Sequence, residues 1–590
     1  MTFLRTVFLL FALALAGCAS KPPAAPSTAA TPSPRVLLVS FDGVAFDALT
    51  ADPASSALGP DGWARIAREG ATARLLPVSP TLTSVTHVSM ATGALPSETG
   101  IVSNTLHLPA TPADATVSGF EAGIEAETIW ETARRNGKRV GVITYPGVDG
   151  TSPARTADFG LIYTDPVSRS TLQTLAASDF SDASIDGSFS TPRAARLAWK
   201  WKADGREISE PIEIVAIDTT NDGATNYDDF VVRHGATAFD VGEDRWFPLS
   251  IAIDEDGSPH LFGAWSRIVS FDPSLDRVVL YWGSVSRNQG YPESFRRLID
   301  ERVGFWPGPP DEFNAGRWLR DRSGIEPQMF VDQVHRFSRF FTRATQIAAE
   351  SMEWDLILAY QPIVDETEHQ WRLVSPAQQW STPGNVEAAA NVRRAAYAAF
   401  DEAIAALVEM TPPGATLLVV SDHGLTALHT GVRVNRMLEQ WGLATLERGR
   451  PSRESRWAAY SSGGYANLHR FGPETPGETE TIARRLEEVT APDGTRVFER
   501  VRVVAPGENP RLGQIEAYLR PGYAFISGSG EIFEKTPYFG QHGYLAHHQE
   551  LHAIFGAWGA AVAKPFPQAL DQTEVAPWIA RVLGIPAPGR

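Results

Sequence analysis

The chain has 590 residues, 43% of them hydrophobic, with 69 acidic side chains against 52 basic ones and a net charge of −17. Such length and apolar content exclude a disordered chain and leave room for a large core and more than one structural unit. The acidic balance excludes a nucleic-acid duplex held in a basic groove, though not nucleotides as substrates.

Residues 1–20 stand apart from the fold. Arg5 gives a positive start, and residues 7–16 are apolar but too few to span a bilayer as a mature helix. The run ends Leu-Ala-Gly-Cys at 15–18, which resembles the lipobox of bacterial lipoproteins. That resemblance implies cleavage before Cys18, lipidation of its sulfur and an exported protein anchored in the cell envelope on the periplasmic side. Ala19 and Ser20, with no Asp after the cysteine, resemble the sorting pattern for an outer membrane. The alternative is an ordinary secretory signal with a chance cysteine. Cys18 is the only cysteine, so an intrachain disulfide and a thiolate catalyst elsewhere are both excluded. Residues 1–18 are thus read as a signal peptide, and 19–34, rich in Pro, Ala, Ser and Thr, as an extended tether. No later run is apolar and long enough to cross a membrane.

Residues 36–40 are a continuous apolar run, expected to form a strand buried on both faces. Trp63–Glu69 reads as an amphipathic helix. Thr83–Thr92 reads as a helix opened by a turn at Pro80 and stopped by Gly93 and Pro96. A helix at 126–137 and a buried strand at 140–145 follow. Strand and helix in alternation argue for an α/β fold, a mostly parallel sheet with helices on both faces. From 148 to 340 the pattern changes to short strands between turns, at 212–217, 230–232, 249–253, 261–270 and 277–282. We read this stretch as an inserted, β-rich cap unit. The α/β pattern then returns with a helix at 333–351, a strand at 356–360, a helix at 386–410 and a strand at 415–421. A further helix is expected within 474–506, then a strand at 551–558 and a closing helix at 575–584. The expected division is a catalytic unit of residues 35–147 and 341–590, interrupted by the cap at 148–340.

Several strand ends carry polar residues suited to chemistry. Asp42 follows the first strand, where ligands gather in open α/β sheets, although a lone Asp there also serves as a turn former. Thr83 begins a helix, where bare N–H groups and the helix dipole favour an anion. It could equally be a simple N-cap, with Ser84 and Thr86 as alternatives. Asp365 and His369, four apart, share one face of a helix and could share one metal ion, or lie on a solvated face. Asp422 and His423 follow the strand at 415–421, and Gly424 permits the turn that lets both reach one ion. His542 stands between Gly540 and Gly543. His547, His548 and His552 are read as surface residues or supports. Carboxylates, imidazoles and one hydroxyl suit zinc with open coordination positions. No nucleophile-elbow, P-loop or dinucleotide signature competes.

These stretches together resemble the alkaline phosphatase superfamily, and within it the type I phosphodiesterase/nucleotide pyrophosphatase family. The carrying motifs are Ser-Phe-Asp-Gly (40–43), Pro-Thr-Leu-Thr (80–83), Thr-Gly (92–93), Gly-Ile-Val-Ser-Asn (100–104), Ser-Asp-His-Gly (421–424) and Gly-Gln-His-Gly-Tyr (540–544). Tyr360, Asp365, His369 and the ending at 575–585 complete the set. The resemblance implies a phosphoric ester hydrolase with two zinc or similar divalent ions. One would be held by Asp42, Asp422, His423 and the oxygen of Thr83, the other by Asp365, His369 and His542. It implies Thr83 as the nucleophile, a phospho-threonine intermediate, Asn104 as a donor to a phosphoryl oxygen and Tyr360 as a pocket residue against the leaving group. The implied substrates are small phosphate esters, nucleotides among them. One departure is Val-Thr-His at 85–87, where the family often has Pro-Asn-His; His87 is read as standing behind the ligands.

Two other readings stand beside the phosphodiesterase. A phosphomonoesterase on the same scaffold would want a Lys or Arg at the phosphoryl oxygens, and no motif places one. A lipoprotein with a purely structural metal site would not need an intact nucleophile. A calcium loop is faintly suggested at 218–228, but it lacks the EF-hand spacing, and a plain turn is favoured.

Overall fold

The computed structural model describes residues 34–589 apart from 204, 243, 244, 256, 563 and 564. The signal peptide, nearly all of the tether and Cys18 lie outside the described residues. Among those described, no helix is long and apolar enough to cross a membrane.

The centre of the molecule is β1 (Arg35–Phe41), buried at every position after Arg35. Side chains alternate across a strand, so Leu37, Val39 and Phe41 enter one core while Val36 and Leu38 enter another on the opposite face. The other strands of its sheet are β2 (Ala71–Leu76), β3 (Val140–Ile143), β4 (Phe159–Ile162), β5 (Gln289–Tyr291), β6 (Leu356–Gln361), β7 (Ala415–Val420), β8 (Ala553–Gly559) and β9 (Ala569–Asp571). Their order is β5-β4-β3-β6-β1-β7-β8-β2-β9. The middle is parallel, with β1 between β6 and β7 and β3 between β6 and β4. β8 departs from the parallel rule and runs antiparallel to both β7 and β2.

Helices cover both faces. α1 (Trp63–Glu69), α2 (Thr83–Thr92) and α3 (Ile129–Arg135) come first, then α4 (Glu312–Asp321), α5 (Pro327–Ser351), α6 (Ile363–Trp371), α7 (Pro383–Met410) and α8 (Val575–Leu583). α5 and α7 bury Phe337, Phe341, Val392 and Phe400 with Leu37 and Val39. α3 and α8 bury Trp130 and Ile579 with Val36 and Leu38 on the other face. Thr128 caps α3, accepting from the Glu131 N–H while Glu131 reaches back to the Thr128 N–H.

Between β4 and β5, two antiparallel sheets share a core in which Ile214 and Phe230 of one meet Leu249 and Phe262 of the other. The strands expected there lie inside longer ones, such as Arg206–Ile217, Trp246–Glu255 and Ser258–Phe271. The strand Arg193–Ala203 was not expected. Its signal was the alternation of Leu197, Trp199 and Trp201 with Arg196, Lys200 and Lys202, which buries the tryptophans, half-buries Leu197 and exposes the second set. The same region ends in helices Glu293–Arg302 and α4, also unforeseen among strand signals. The loop at 218–228 is a turn. Its Asp218 and Asp228 carboxylates accept from Thr220 and Thr219, and Asp222 accepts from the Ala224 N–H.

Candidate active site

The ligand-type residues gather where the central strands end. The Asp42 N–H donates to the Gln361 carbonyl at the end of β6 (3.0 Å), and the Asp365 N–H donates to the Asp42 carbonyl (3.2 Å). Between them, Gly43 has φ +78°, and a Cβ there would lie 2.7 Å from the Asp365 Cα. Only glycine allows α6 to come so close to the end of β1. The Gly43 N–H also donates to Asp422 Oδ1 (3.3 Å), which ties the end of β7 to the end of β1.

Two groups result. Asp42, Asp422 and His423 form one, Asp365, His369 and His542 the other, and within each the ligand atoms lie within 4.8 Å of one another. His423 Nε2 is 3.0 Å from Asp422 Oδ2 and 3.7 Å from Asp42 Oδ1. His369 Nε2 is 3.3 Å from Asp365 Oδ2, and His542 Nε2 is 3.8 Å from Asp365 Oδ1. His369 and His542 each donate Nδ1–H to a carbonyl, of Gly540 and Thr81 respectively (both 2.9 Å), which turns Nε2 of each ring toward the carboxylates. The two groups abut, because the rings of His423 and His542 stack with centroids 3.9 Å apart.

This cluster is electrostatically incomplete by itself. Burial, then the Asp422 and Asp365 carboxylates, push Asp42 well above the usual carboxylate range. Burial, with Asp365 adding to it, lifts Asp422 to about 7. Burial acts on Asp365 in the same sense, but the adjacent His369 outweighs it and holds Asp365 low, while His369 itself rises to about 10. His423 and His542 are pushed down by burial. Asp42 Oδ1, Asp365 Oδ1 and His423 Nδ1 are buried without a hydrogen-bond partner. Three carboxylates, three imidazoles and orphaned donor atoms with no Lys or Arg among them fit divalent cations.

Thr83 is the first residue of α2. Leu82 holds the N-cap position with extended backbone and supplies no side-chain cap, so the cap reading of Thr83 does not hold. Ser84 and Thr86 do not cap either. The Ser84 hydroxyl donates to Asn104 Oδ1 (2.8 Å) and the Thr86 hydroxyl to the Leu82 carbonyl (2.8 Å). Thr83 Oγ1 instead lies 3.4 Å from His423 Nε2, at the side of the first group. Asn104 Oδ1 accepts from both the N–H (3.0 Å) and the hydroxyl of Ser84. Its carbonyl is therefore engaged, and its NH2 is the end available to an oxyanion. Tyr360 lines the cavity, but its hydroxyl donates to Asp42 Oδ2 (2.6 Å). His87 stands behind the site, donating Nδ1–H to the Thr83 carbonyl and accepting from Ser40 (both 2.8 Å). Burial holds it down at about 3, hence neutral. His547 and His548 face Glu499 (3.1 and 2.9 Å), and His552 meets Arg74 (3.2 Å); none lines the cavity.

The cavity over Thr83 is about 920 Å3. Beyond the residues already named, its charged lining is Glu121, Asp149, Asp165, Glu312 and Glu366, and no Lys or Arg lines it. Tyr163 donates to Glu366 Oε1 (3.2 Å), and Glu312 and Glu366 are each raised by burial and by the carboxylates around them. Sequence reasoning missed these walls. They come from residues 120–165, α4 and α6, and only Glu366 lies between two candidate ligands, Asp365 and His369; the others carry no spacing signal that the chemistry requires.

The family model described as type I phosphodiesterase / nucleotide pyrophosphatase matches residues 36–220 and 271–545. No curated protein matches the sequence. Among solved structures the chain is similar to human ectonucleotide pyrophosphatase/phosphodiesterase 5, at 15% identity over 94% of this chain and 96% of that one, with a TM-score of 0.46. The murine protein in complex with AMP gives the same values. Phosphonoacetate hydrolase from Sinorhizobium meliloti 1021, in complex with phosphonoformate, is similar at 14% identity over 94% and 95%, with a TM-score of 0.46.

Proposed function

The chain belongs to the type I phosphodiesterase/nucleotide pyrophosphatase family, a family of hydrolases, and from that premise we propose a two-zinc phosphodiesterase working through a phospho-threonine. Asp42, Asp422, His423 and the Thr83 oxygen would hold one ion, and Asp365, His369 and His542 the other. When bound, the ions would lower the pKa of the Thr83 hydroxyl and neutralise charge on the phosphoryl and leaving oxygens. Thr83 Oγ1 attacks phosphorus, forms the Thr–O–P bond and expels the alcohol or phosphate on the opposite side. Water then attacks phosphorus, and its oxygen leaves in the released phosphate monoester, which keeps the second ester group, while the Thr–O–P bond breaks and Thr83 regains its hydroxyl. The Asn104 NH2 and the open N–H groups of α2 donate to the non-bridging oxygens.

The observation that carries this reading is the uncapped Thr83 hydroxyl 3.4 Å from His423, beside the meeting point of the two ligand groups. A cavity lined by carboxylates and no Lys or Arg favours a diester over a doubly charged monoester. The deciding experiment compares kcat/KM of the zinc-loaded protein for bis(4-nitrophenyl) phosphate and 4-nitrophenyl phosphate. The expected outcome is a diester preference of roughly tenfold or more, about 1.4 kcal/mol in transition-state binding. A monoester preference of that size would replace the reading with a phosphomonoesterase.

Leu-Ala-Gly-Cys at 15–18 supports a further part of the proposal, that the enzyme is exported and held in the envelope by a lipid on Cys18. Cys18→Ala should then move the protein from the membrane to the soluble fraction of disrupted cells. Unchanged membrane recovery would remove the anchor from the proposal.

A further inference from the structure

A second cavity, of about 460 Å3, opens between the end of helix Glu293–Arg302, the loop at 303–307, Trp265 and α5. Its charged lining is Arg302, Arg336, Arg339 and Arg343, and no acidic residue lines it. Three of the four lie on α5 at spacings of three and four, hence on one helix face. Among the described residues, none of the four is ion-paired to a carboxylate at 4.0 Å or closer. The nearby Asp332 is already engaged by Arg267 (3.2 Å) and by the Trp246 indole N–H (2.9 Å).

In a chain of net charge −17, four unpaired arginines in one groove are an unusual concentration of positive charge. They repel one another; Asp332 opposes this at Arg336, and Arg343 donates to the neutral Gln346 Oε1 (2.8 Å), so among the described residues no carboxylate directly pairs any of the four. Arg336 is fixed in place, its guanidinium lying 4.4 Å from the Trp246 ring centroid and 4.2 Å from that of Trp265. Burial lowers it to about 10 against the opposing pull of Asp332, and Arg339 pushes the same way as burial. Phe305, Phe340 and Trp265 supply an aromatic floor beneath the charges. Guanidinium groups match planar or tetrahedral oxyanions through paired N–H donors, and the floor suits an attached apolar group. The cavity shares no lining residue with the catalytic one.

We propose that this arginine groove is a second binding site, taking an oxyanion of the phosphate or phosphonate class that carries an apolar group. The ligand is either a soluble phosphate ester or the headgroup of an anionic lipid, and the shared chemistry is the same. The test titrates the full-length, zinc-loaded protein calorimetrically with octylphosphonate, which has no ester bond to hydrolyse. The expected result is one binding event beyond the catalytic cavity, weakened roughly tenfold or more in Arg339→Gln/Arg343→Gln. The exposed pair Lys200→Gln/Lys202→Gln, with the same loss of charge, should retain it. Near-ultraviolet circular dichroism checks the fold of the double variant; if it is lost, Arg302→Gln replaces it with the same expected direction. Flotation with phosphatidylglycerol and phosphatidylcholine vesicles separates the sources. Binding that requires the anionic lipid and is lost in the arginine variant assigns the headgroup; no such dependence, with the octylphosphonate site present, assigns a soluble ligand. Equal stoichiometry and affinity in wild type and arginine variant, or no wild-type binding beyond the catalytic cavity, overturns the proposal.

Discussion

Asn104 is held by its carbonyl. Both the N–H and the hydroxyl of Ser84 donate to Oδ1, so the amide is oriented before any substrate arrives. Thr83 is equally prepared: the N-cap position falls to Leu82, and the threonine hydroxyl is released from local bonding. These two placements give separable predictions. Thr83→Ala should remove diester hydrolysis altogether while leaving the melting temperature near wild type, since the side chain supports no other element and Asp42, Asp422 and His423 remain to hold the ion. Undiminished hydrolysis would displace Thr83 as nucleophile. Asn104→Ala should keep KM within a few fold and lower kcat by about 100- to 1,000-fold, the usual cost of one oxyanion donor. A rise in KM with kcat unchanged would make Asn104 a ground-state binding residue instead. Tyr360 shows what residue-level reading leaves open: its type and position were legible, but its hydroxyl serves Asp42.

At the scale of elements, the site depends on three strand ends meeting. β1, β6 and β7 are adjacent and parallel, so the residues that follow them emerge on one edge of the sheet. The close approach of α6 to Gly43 is the tightest of these junctions. Gly43→Ala would meet the Asp365 Cα at 2.7 Å at a φ of +78°, and the left-handed backbone alone costs an L-residue about 1–2 kcal/mol. We expect the variant to melt several degrees lower and to bind less than the full metal complement, as read by thermal denaturation and metal analysis. Wild-type melting and metal content would mean that α6 can yield without cost. The expected helices Trp63–Glu69 and Thr83–Thr92 match the observed ones because their boundaries are set locally, by Gly70, Pro80 and Gly93. Helices Glu293–Arg302 and α4 were missed because they lie among strands, where no neighbouring alternation of strand and helix announces them.

For the whole molecule, stability is tied to charge that the fold buries. Asp42, Asp365 and Asp422 are buried together, so a chelator should lower the melting temperature as well as end turnover. For ions held at 1,000 times their dissociation constant, the loss is about 4 kcal/mol per site. An unchanged melting temperature on chelation would mean the site holds no ion that stabilises the fold. A pH effect is expected away from the site. Burial, with His107 adding to it, depresses His469 to about 3 from an ordinary 6.5. The unfolded chain therefore takes up a proton below about 6.5 that the folded chain refuses until about 3, and stability falls as pH is lowered through that window, by up to about 1.4 kcal/mol per pH unit. His469→Gln should flatten that fall in denaturation midpoints between pH 7 and 5; an equally steep fall would assign it to other groups. The sequence alone determined the α/β class and the family, and it singled out the ligand-type residues. Buried strands, strand-end aspartates and glycine-flanked histidines are local patterns, written in neighbouring residues. Only the tertiary structure decided the reversed direction of β8, the acidic walls of the catalytic cavity and the arginine groove. Each of these joins residues far apart in the chain, and charge, burial and strand direction across such distances are set by packing rather than by any local run of residues.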